Sequence, residues 1–321
     1  MLRSFLIYLS KAAWAQRLVA GWGIAWRAAS RFVAGETIRD ALRVVRELNA
    51  RGFHATLNYL GENTSTTEEA DTATEKILSI FNEINESGAR ANVSVKLTQI
   101  GMGLDEETCR QNLARLLEQV KQNNNFIRLD MEDTPYTDIT LSLHNSMLER
   151  GFDSNQIGLV LQAYLFRTEA DLRAALEKGT RIRLVKGAYN EPPDKAYPKK
   201  ADTDANYDLL AKIMMDAALQ RESNAISQDG RVPPAVAIAS HDEKRIAFVK
   251  QYAEKIGLPK NAFEFQMLFG IRRDLQESLV KDGYLVRVYI PFGAQWYPYF
   301  MRRLAERPAN IWFFVSNYFR G

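Results

Sequence analysis

Residues 91–129 read ANVSVKLTQIGMGLDEETCRQNLARLLEQVKQNNNFIRL, and the period of their apolar residues changes twice. Ala91 to Leu97 and Phe126 to Leu129 are short apolar runs of strand length. Between them Leu113, Leu116, Leu117 and Val120 recur at three- and four-residue steps, which puts them on one face of a helix from Glu106 to Gln122. Strand, helix and strand in this order form the repeating unit of a parallel sheet covered by helices.

The same alternation runs outward in both directions. Further apolar runs span His54 to Leu60, Gly158 to Ala163, Ile182 to Val185, Ala235 to Ala239, Ala262 to Met267 and Tyr284 to Ile290. Helix patterns cover Glu36 to Ala50, with Ile38, Leu42, Val45 and Leu48 on one face, and Glu68 to Asn85, with Ile77, Phe81 and Ile84. Asp242 predicts the cap of a helix that ends at Gly257, and Thr168 with Asp171 predicts a capping-box start. Eight units with near-continuous apolar strands predict an α/β chain folded as a closed (β/α)8 TIM-like barrel over residues 51–321, preceded by an N-terminal helical arm over residues 1–50. A doubly wound open sheet is the alternative. The lack of a G-x-G-x-x-G or G-x-x-x-x-G-K turn after the first strand weighs against its nucleotide-binding forms.

Composition narrows the class. The chain has 321 residues, 42 Lys and Arg against 39 Asp and Glu, and 46% apolar residues, which excludes a disordered, collagen-like or coiled-coil protein. A chain of this size buries roughly 75% of its extended surface, so its core can hold a cofactor without covalent staples. Cys109 is the single cysteine, so neither an intrachain disulfide nor a thiolate zinc site is possible. His54, His144 and His241 are far apart in sequence, and no metal is expected. The longest uncharged run, Val288 to Met301, is short of the ~20 residues that cross a bilayer. The apolar run near the start is too short for a signal-peptide core, so a cytoplasmic protein is expected. Arg3, Lys11, Arg17, Arg27 and Arg31 occur with no acid in the first 35 residues, interleaved with Trp14, Trp22 and Trp26. Such a segment can lie on an anionic membrane surface, or its tryptophans can pack it onto the body of the protein; packing is the preferred reading.

Chemistry in such a barrel gathers at the carboxyl ends of the strands. Those ends carry Lys96, Asp130 to Asp133, Gln162, Arg183 to Tyr189, Ser240 to Asp242, Glu264 to Gln266 and Tyr289. Lys96 or Arg183 within an apolar strand costs several kcal/mol to desolvate unless a partner compensates, so an anionic ligand is expected, with Asp130 as the internal partner of Lys96. After Pro291 and Gly293, a helix carrying Tyr299, Arg302, Arg303 and Glu306 can form a carboxylate clamp, because guanidinium forks bind carboxylates bidentately. Its plainer reading is a surface helix with a weak Arg–Glu pair.

The segments Ser94 to Leu97, Arg128 to Asp130, Arg183 to Tyr189, Phe263 to Gln266 and Tyr299 to Glu306 resemble, in order and over nearly the whole chain, the FAD-dependent proline dehydrogenases, most closely their short monofunctional bacterial members. The resemblance implies a distorted (β/α)8 barrel whose final helix lies over the carboxyl face. It also implies oxidation of L-proline to Δ1-pyrroline-5-carboxylate, with a hydride passed to FAD and electrons then passed to a membrane quinone. On the matching positions, Lys96, Arg302 and Arg303 would hold the proline carboxylate, and Tyr289 and Tyr299 would shape the pocket. Asp130 and Arg183 would form the active-site polar pair. Met131, Gln162, Lys186, Gly187, Ala188, Ser240, His241 and Glu306 would contact FAD. Asn58 and Ser240 depart from the family pattern of Asp and Thr, and both keep a hydrogen-bonding group. Two other classes stand beside this one: a barrel lyase forming a Schiff base on Lys96 or Lys186, and a non-enzymatic basic scaffold, which the balanced charge does not favour.

Overall fold

The computed structural model describes residues 23–62, 64–221 and 225–306, together with Tyr8, Leu9 and Ala12. Among these residues the eight apolar runs are strands: β1 (His54–Tyr59), β2 (Ala91–Val95), β3 (Ile127–Leu129), β4 (Ile157–Gln162), β5 (Arg181–Val185), β6 (Val236–Ala239), β7 (Phe263–Leu268) and β8 (Leu285–Phe292). They pair in parallel and in chain order, and β8 closes on β1 with Tyr289 opposite Thr56. The closed barrel is thus the one expected, and the open sheet is excluded. Strand β8 runs through Pro291, opposite Asn58, and ends only at Gly293, whose φ of +128° suits glycine.

The described helices are α1 (Gly23–Ala29), α2 (Ile38–Ala50), α3 (Thr67–Ser87), α4 (Glu106–Gln122), α5 (Thr134–Glu149), α6 (Thr168–Glu177), α7 (Lys200–Leu219), α8 (Glu243–Ile256), α9 (Arg273–Lys281) and α10 (Trp296–Glu306). Local chemistry fixes several of their ends. Thr37 and Asp40 form a capping box on α2, and Asp242 accepts the Lys244 amide at 3.0 Å before α8 terminates at Gly257 in the left-handed region. The start expected at Thr168 differs. Thr168 is already the first helical residue, and its hydroxyl donates to the Gln162 carbonyl at 2.5 Å, so it ties α6 to β4 instead of capping the helix.

The strands are not near-continuously apolar, and this corrects the sequence reading. Alternate residues such as Ala55, Leu57, Val93, Val95, Leu159, Ile182 and Leu184 pack outward against Ile77, Phe81, Leu113, Leu116, Tyr207 and Met214 of the helices, where the main core lies. The residues between them are buried and polar: Thr56, Asn92, Ser94, Arg128, Asp130, Gln162, Arg183, Glu264, Gln266 and Arg287. These groups bond across the lumen between strands that are not neighbours, as where Arg183 of β5 donates to Ser94 of β2 at 3.1 Å. The lumen makes room for them. A Cβ on Gly158 would stand 2.5 Å from the Arg181 carbonyl and 2.6 Å from the Phe126 ring, where Arg128 now donates to the carbonyls of Leu159 and Arg181 at 3.1 and 3.0 Å.

A second apolar cluster joins α1 to α10. Trp26 meets Trp296 edge-on with ring centroids 5.3 Å apart, and Phe32 lies 6.4 Å from Phe300. Trp26 therefore packs on the protein body, whereas Trp14, Trp22, Arg3, Lys11 and Arg17 lie outside the described residues. Among the described residues no helix is long and apolar enough to cross a membrane.

Candidate active site

Arg183 is the centre of the lumen network at the carboxyl ends of the strands. It is 4% exposed, donates from Nη1 to Asp130 Oδ1 at 2.7 Å, and donates from Nε to the Gln266 amide oxygen. Ser94 also donates to Asp130 Oδ1, at 3.0 Å. Tyr289 donates to Asp130 Oδ2 at 2.6 Å, and its ring lies 5.3 Å from the Arg183 guanidinium carbon. Burial, followed by the Asp130 carboxylate, pushes the Tyr289 phenol well above its ordinary range, so it remains a donor. After these bonds the buried Nη2 of Arg183 has no hydrogen-bond partner among the described residues.

A second cluster forms the rim. Glu62, which follows β1, accepts from Lys96 Nζ at 2.5 Å and from Arg302 Nη2 at 2.8 Å. Burial alone would raise the Glu62 carboxyl, but the Lys96 and Arg302 cations more than reverse this and hold it below its ordinary value. Lys96 is therefore not paired with Asp130 as expected: Asp130 is taken by Arg183, and Lys96 turns to the neighbouring rim carboxylate. Glu132 accepts the Thr98 amide at 3.0 Å and the Thr98 hydroxyl at 2.6 Å, and burial raises its carboxyl. Arg302 joins the Lys96 cluster. Arg303, one residue on, stacks over the Tyr299 ring at 5.2 Å.

The side of the barrel between β4 and β6 is built differently. Gln162 donates to the Glu132 carbonyl at 2.8 Å, and His241 accepts the Leu268 amide at 3.0 Å through Nε2. Ser240 accepts the Asp242 amide at 3.1 Å. Lys186 bridges Asp204 and Asp242 at 2.5 and 2.7 Å. Gly187 has φ +111°, and a Cβ there would come within 2.3 Å of the Tyr164 ring. Beyond Ala188 and Tyr189, Glu191 accepts the Thr134 amide at 3.0 Å and the Tyr164 hydroxyl at 3.2 Å, which straps the loop after β5 to α5. Met131 is buried beside Asp130. The side chain of Glu306 lies outside the described residues.

Sequence reasoning gave no role to Glu62, Glu132, Tyr189, Ser94, Glu264 or Gln266. Burial, together with the carboxylates of Glu132, Glu62 and Asp130, raises the Tyr189 phenol, which ties that side chain electrostatically to both clusters. Glu264 and Gln266 had a legible signal: they are two residues apart on one strand and therefore share its inward face. Glu62 had none, because its partners come from β2 and from the far end of the chain.

The arrangement is that of a closed (β/α)8 barrel whose strand ends gather the cations Lys96, Arg183 and Arg302 with the carboxylates of Glu62 and Asp130. The family model described as "Proline dehydrogenase" matches residues 41–315. The chain is 37% identical to proline dehydrogenase 1 of Bacillus subtilis over 316 residues, 98% of either chain. It is 38% identical to the proline dehydrogenase of Deinococcus radiodurans over 299 residues, 92% of this chain and 91% of that one. It also resembles the structure of proline utilization A from Bdellovibrio bacteriovorus inactivated by N-propargylglycine, with a TM-score of 0.77, 27% identity and 87% of this chain covered; the match spans 32% of that longer chain. The chain belongs to the proline dehydrogenase family.

Proposed function

We propose that the chain oxidises L-proline to Δ1-pyrroline-5-carboxylate with FAD as the resident cofactor. The observation that carries this reading is Arg183, buried between Asp130 and Gln266 with Nη2 still unspent, beneath a rim where Lys96 and Arg302 already converge on one carboxylate. A flavin fits these residues: the unspent donor can serve a ring acceptor, and Gly187 lets the loop after β5 turn at a positive φ with Tyr164 packed against its backbone. Arg183, Met131, Gln162, Lys186, Gly187, Ala188, Ser240, His241 and Glu306 would hold FAD. When bound, FAD supplies the hydride acceptor.

The remaining work belongs to the protein. Lys96 and Arg302 share the Glu62 carboxylate, and together with Arg303, which stacks on Tyr299, they would hold the proline carboxylate as a further anion. This would fix the ring in one orientation, and positioning is the larger part of what such a site contributes. Tyr289 and Tyr299 would form its walls. Asp130 holds Arg183 in place, and the guanidinium would favour the negative charge that bound FAD gains with the hydride. A Schiff-base lyase is not favoured, since Lys96 and Lys186 are both engaged by carboxylates and the family is a dehydrogenase family.

We assign residues 1–50 to an arm and 51–321 to the catalytic barrel. The electron acceptor is a quinone, and the basic arm makes peripheral contact with the inner face of the cell membrane, with the barrel in the cytoplasm. The decisive experiment is anaerobic addition of L-proline to the purified protein. Bleaching of the oxidised flavin band supports the reading, and a protein that is colourless and takes up no FAD overturns it.

A further inference from the structure

Beneath the active-site cluster lies a charged pair that touches neither rim nor solvent. Glu264 and Arg287 are both 0% exposed, and Arg287 Nε donates to the two Glu264 oxygens at 2.9 and 3.0 Å. Arg287 is itself pinned. Its Nη1 donates to the Ala55 carbonyl and its Nη2 to the Gly230 carbonyl, each at 2.9 Å, so Glu264 sits in a fixed place. A buried pair of this kind often contributes little net stability compared with apolar residues of the same volume, so its presence calls for another account.

A carboxylate only accepts, so the end of the Gln266 amide that meets Glu264 must be the NH2 group. The amide oxygen is thereby turned toward Arg183 and accepts its Nε–H. With Nε committed to Gln266 and Nη1 committed to Asp130 and Ser94, the guanidinium plane is fixed by bonds on two sides, and Nη2 is the donor left over. Without an acceptor at position 264, one of the two contacts that hold the Gln266 oxygen toward Arg183 is lost, and the flipped amide would set donor against donor.

We propose that Glu264 is a positioning residue for proline oxidation, acting through the Gln266 amide to aim Arg183 Nη2 at the cofactor. This inference rests on the flavin role assigned to Arg183. It requires an acceptor oxygen at position 264, not a negative charge.

Two double variants of equal charge isolate that requirement: Glu264→Gln/Arg287→Met retains an acceptor facing Gln266, and Glu264→Leu/Arg287→Met does not. Each removes Glu264 and Arg287 together, so neither member of the pair is left buried without the other. Anaerobic single-turnover reduction of FAD-loaded protein by L-proline should be at least tenfold slower in the Leu variant than in the Gln variant, with apparent proline affinities within twofold of each other. Gln266→Met should show the same slowing and should shift the midpoint potential of the bound flavin in the same direction as Arg183→Met. Equal reduction rates in the two double variants overturn the proposal. So does a wild-type rate and potential in Gln266→Met beside a slow Arg183→Met, and in that case the role of Arg183 stands. A wild-type rate in Arg183→Met overturns the flavin role and this inference together.

Discussion

Arg302 of the last described helix donates to Glu62 Oε1 at 2.8 Å, across 240 residues of sequence. This bond and the Lys96 bond to the same oxygen fasten α10 over the strand ends. Replacing Glu62 by Gln removes the carboxylate that both cations share and should lower stability at pH 7 by about 1.5–3 kcal/mol, the scale of hydrogen bonds to charged groups. The sign with pH follows from the depressed carboxyl: the contribution is fully present above the ordinary Glu range and is lost as pH falls from there through the lower value Glu62 has in the fold. Denaturant unfolding of the two proteins from pH 3 to 7 should therefore show curves that converge at the acid end.

Arg302→Met should raise the KM for L-proline at least tenfold while the FAD content of the purified protein stays unchanged, because Arg302 bonds to Glu62, which is not among the residues assigned to the flavin. Steady-state kinetics with a soluble dye, together with the absorbance ratio of flavin to protein, checks both halves. An unaltered KM removes Arg302 from the clamp.

Tyr289→Phe deletes the 2.6 Å bond to Asp130 and leaves the Arg183 ion pair intact. A loss of about 1.5–3 kcal/mol of stability is expected, since the acceptor is charged and buried. Thermal unfolding measures it, and a melting temperature equal to that of wild type would show that the bond is replaced by other donors.

Gly187→Ala must place a methyl group where the Tyr164 ring lies, at a φ that L residues rarely adopt. Weakened FAD retention is expected with the barrel still folded. Equilibrium dialysis of FAD against the variant, beside its far-ultraviolet circular dichroism, tests this; retention equal to wild type would show that the loop after β5 does not contact the cofactor.

His54 and His144 are both buried, and burial lowers them to about 3 and about 4. Between those values and the ordinary histidine range the unfolded chain binds protons that the folded chain does not. Stability therefore falls as pH drops below about 6.5, each residue adding roughly 1.4 kcal/mol per pH unit to the slope. His54→Gln and His144→Gln should each flatten unfolding free energy between pH 6.5 and 4.5, and an unchanged slope would show that the residue protonates in the fold.

Much of the fold was legible because outward-facing strand residues and helix faces are dictated locally. Runs such as Ala91 to Leu97 and Ala262 to Met267 fall within two residues of β2 and β7. What was not legible is long-range. Lys96 pairs with Glu62 and Arg183 with Asp130, and no spacing in the sequence says which cation takes which carboxylate. The alternation hidden inside runs such as IRLV was visible in principle, but an arginine flanked by Ile and Leu reads as an intruder in an oily strand until the opposite wall supplies its partners. Thr168 illustrates the same limit at a helix start: its hydroxyl satisfies a strand carbonyl six residues back instead of the amides ahead.

A barrel whose inner wall is amide, hydroxyl and guanidinium exposes less hydrocarbon on melting than one filled with aliphatic side chains. Newly hydrated polar surface lowers the heat capacity, whereas hydrocarbon raises it, so the increment on unfolding should fall below the usual allowance for a chain of this length. The stability curve flattens accordingly, and the protein should keep its shape over a wider span of temperatures than its marginal free energy would suggest.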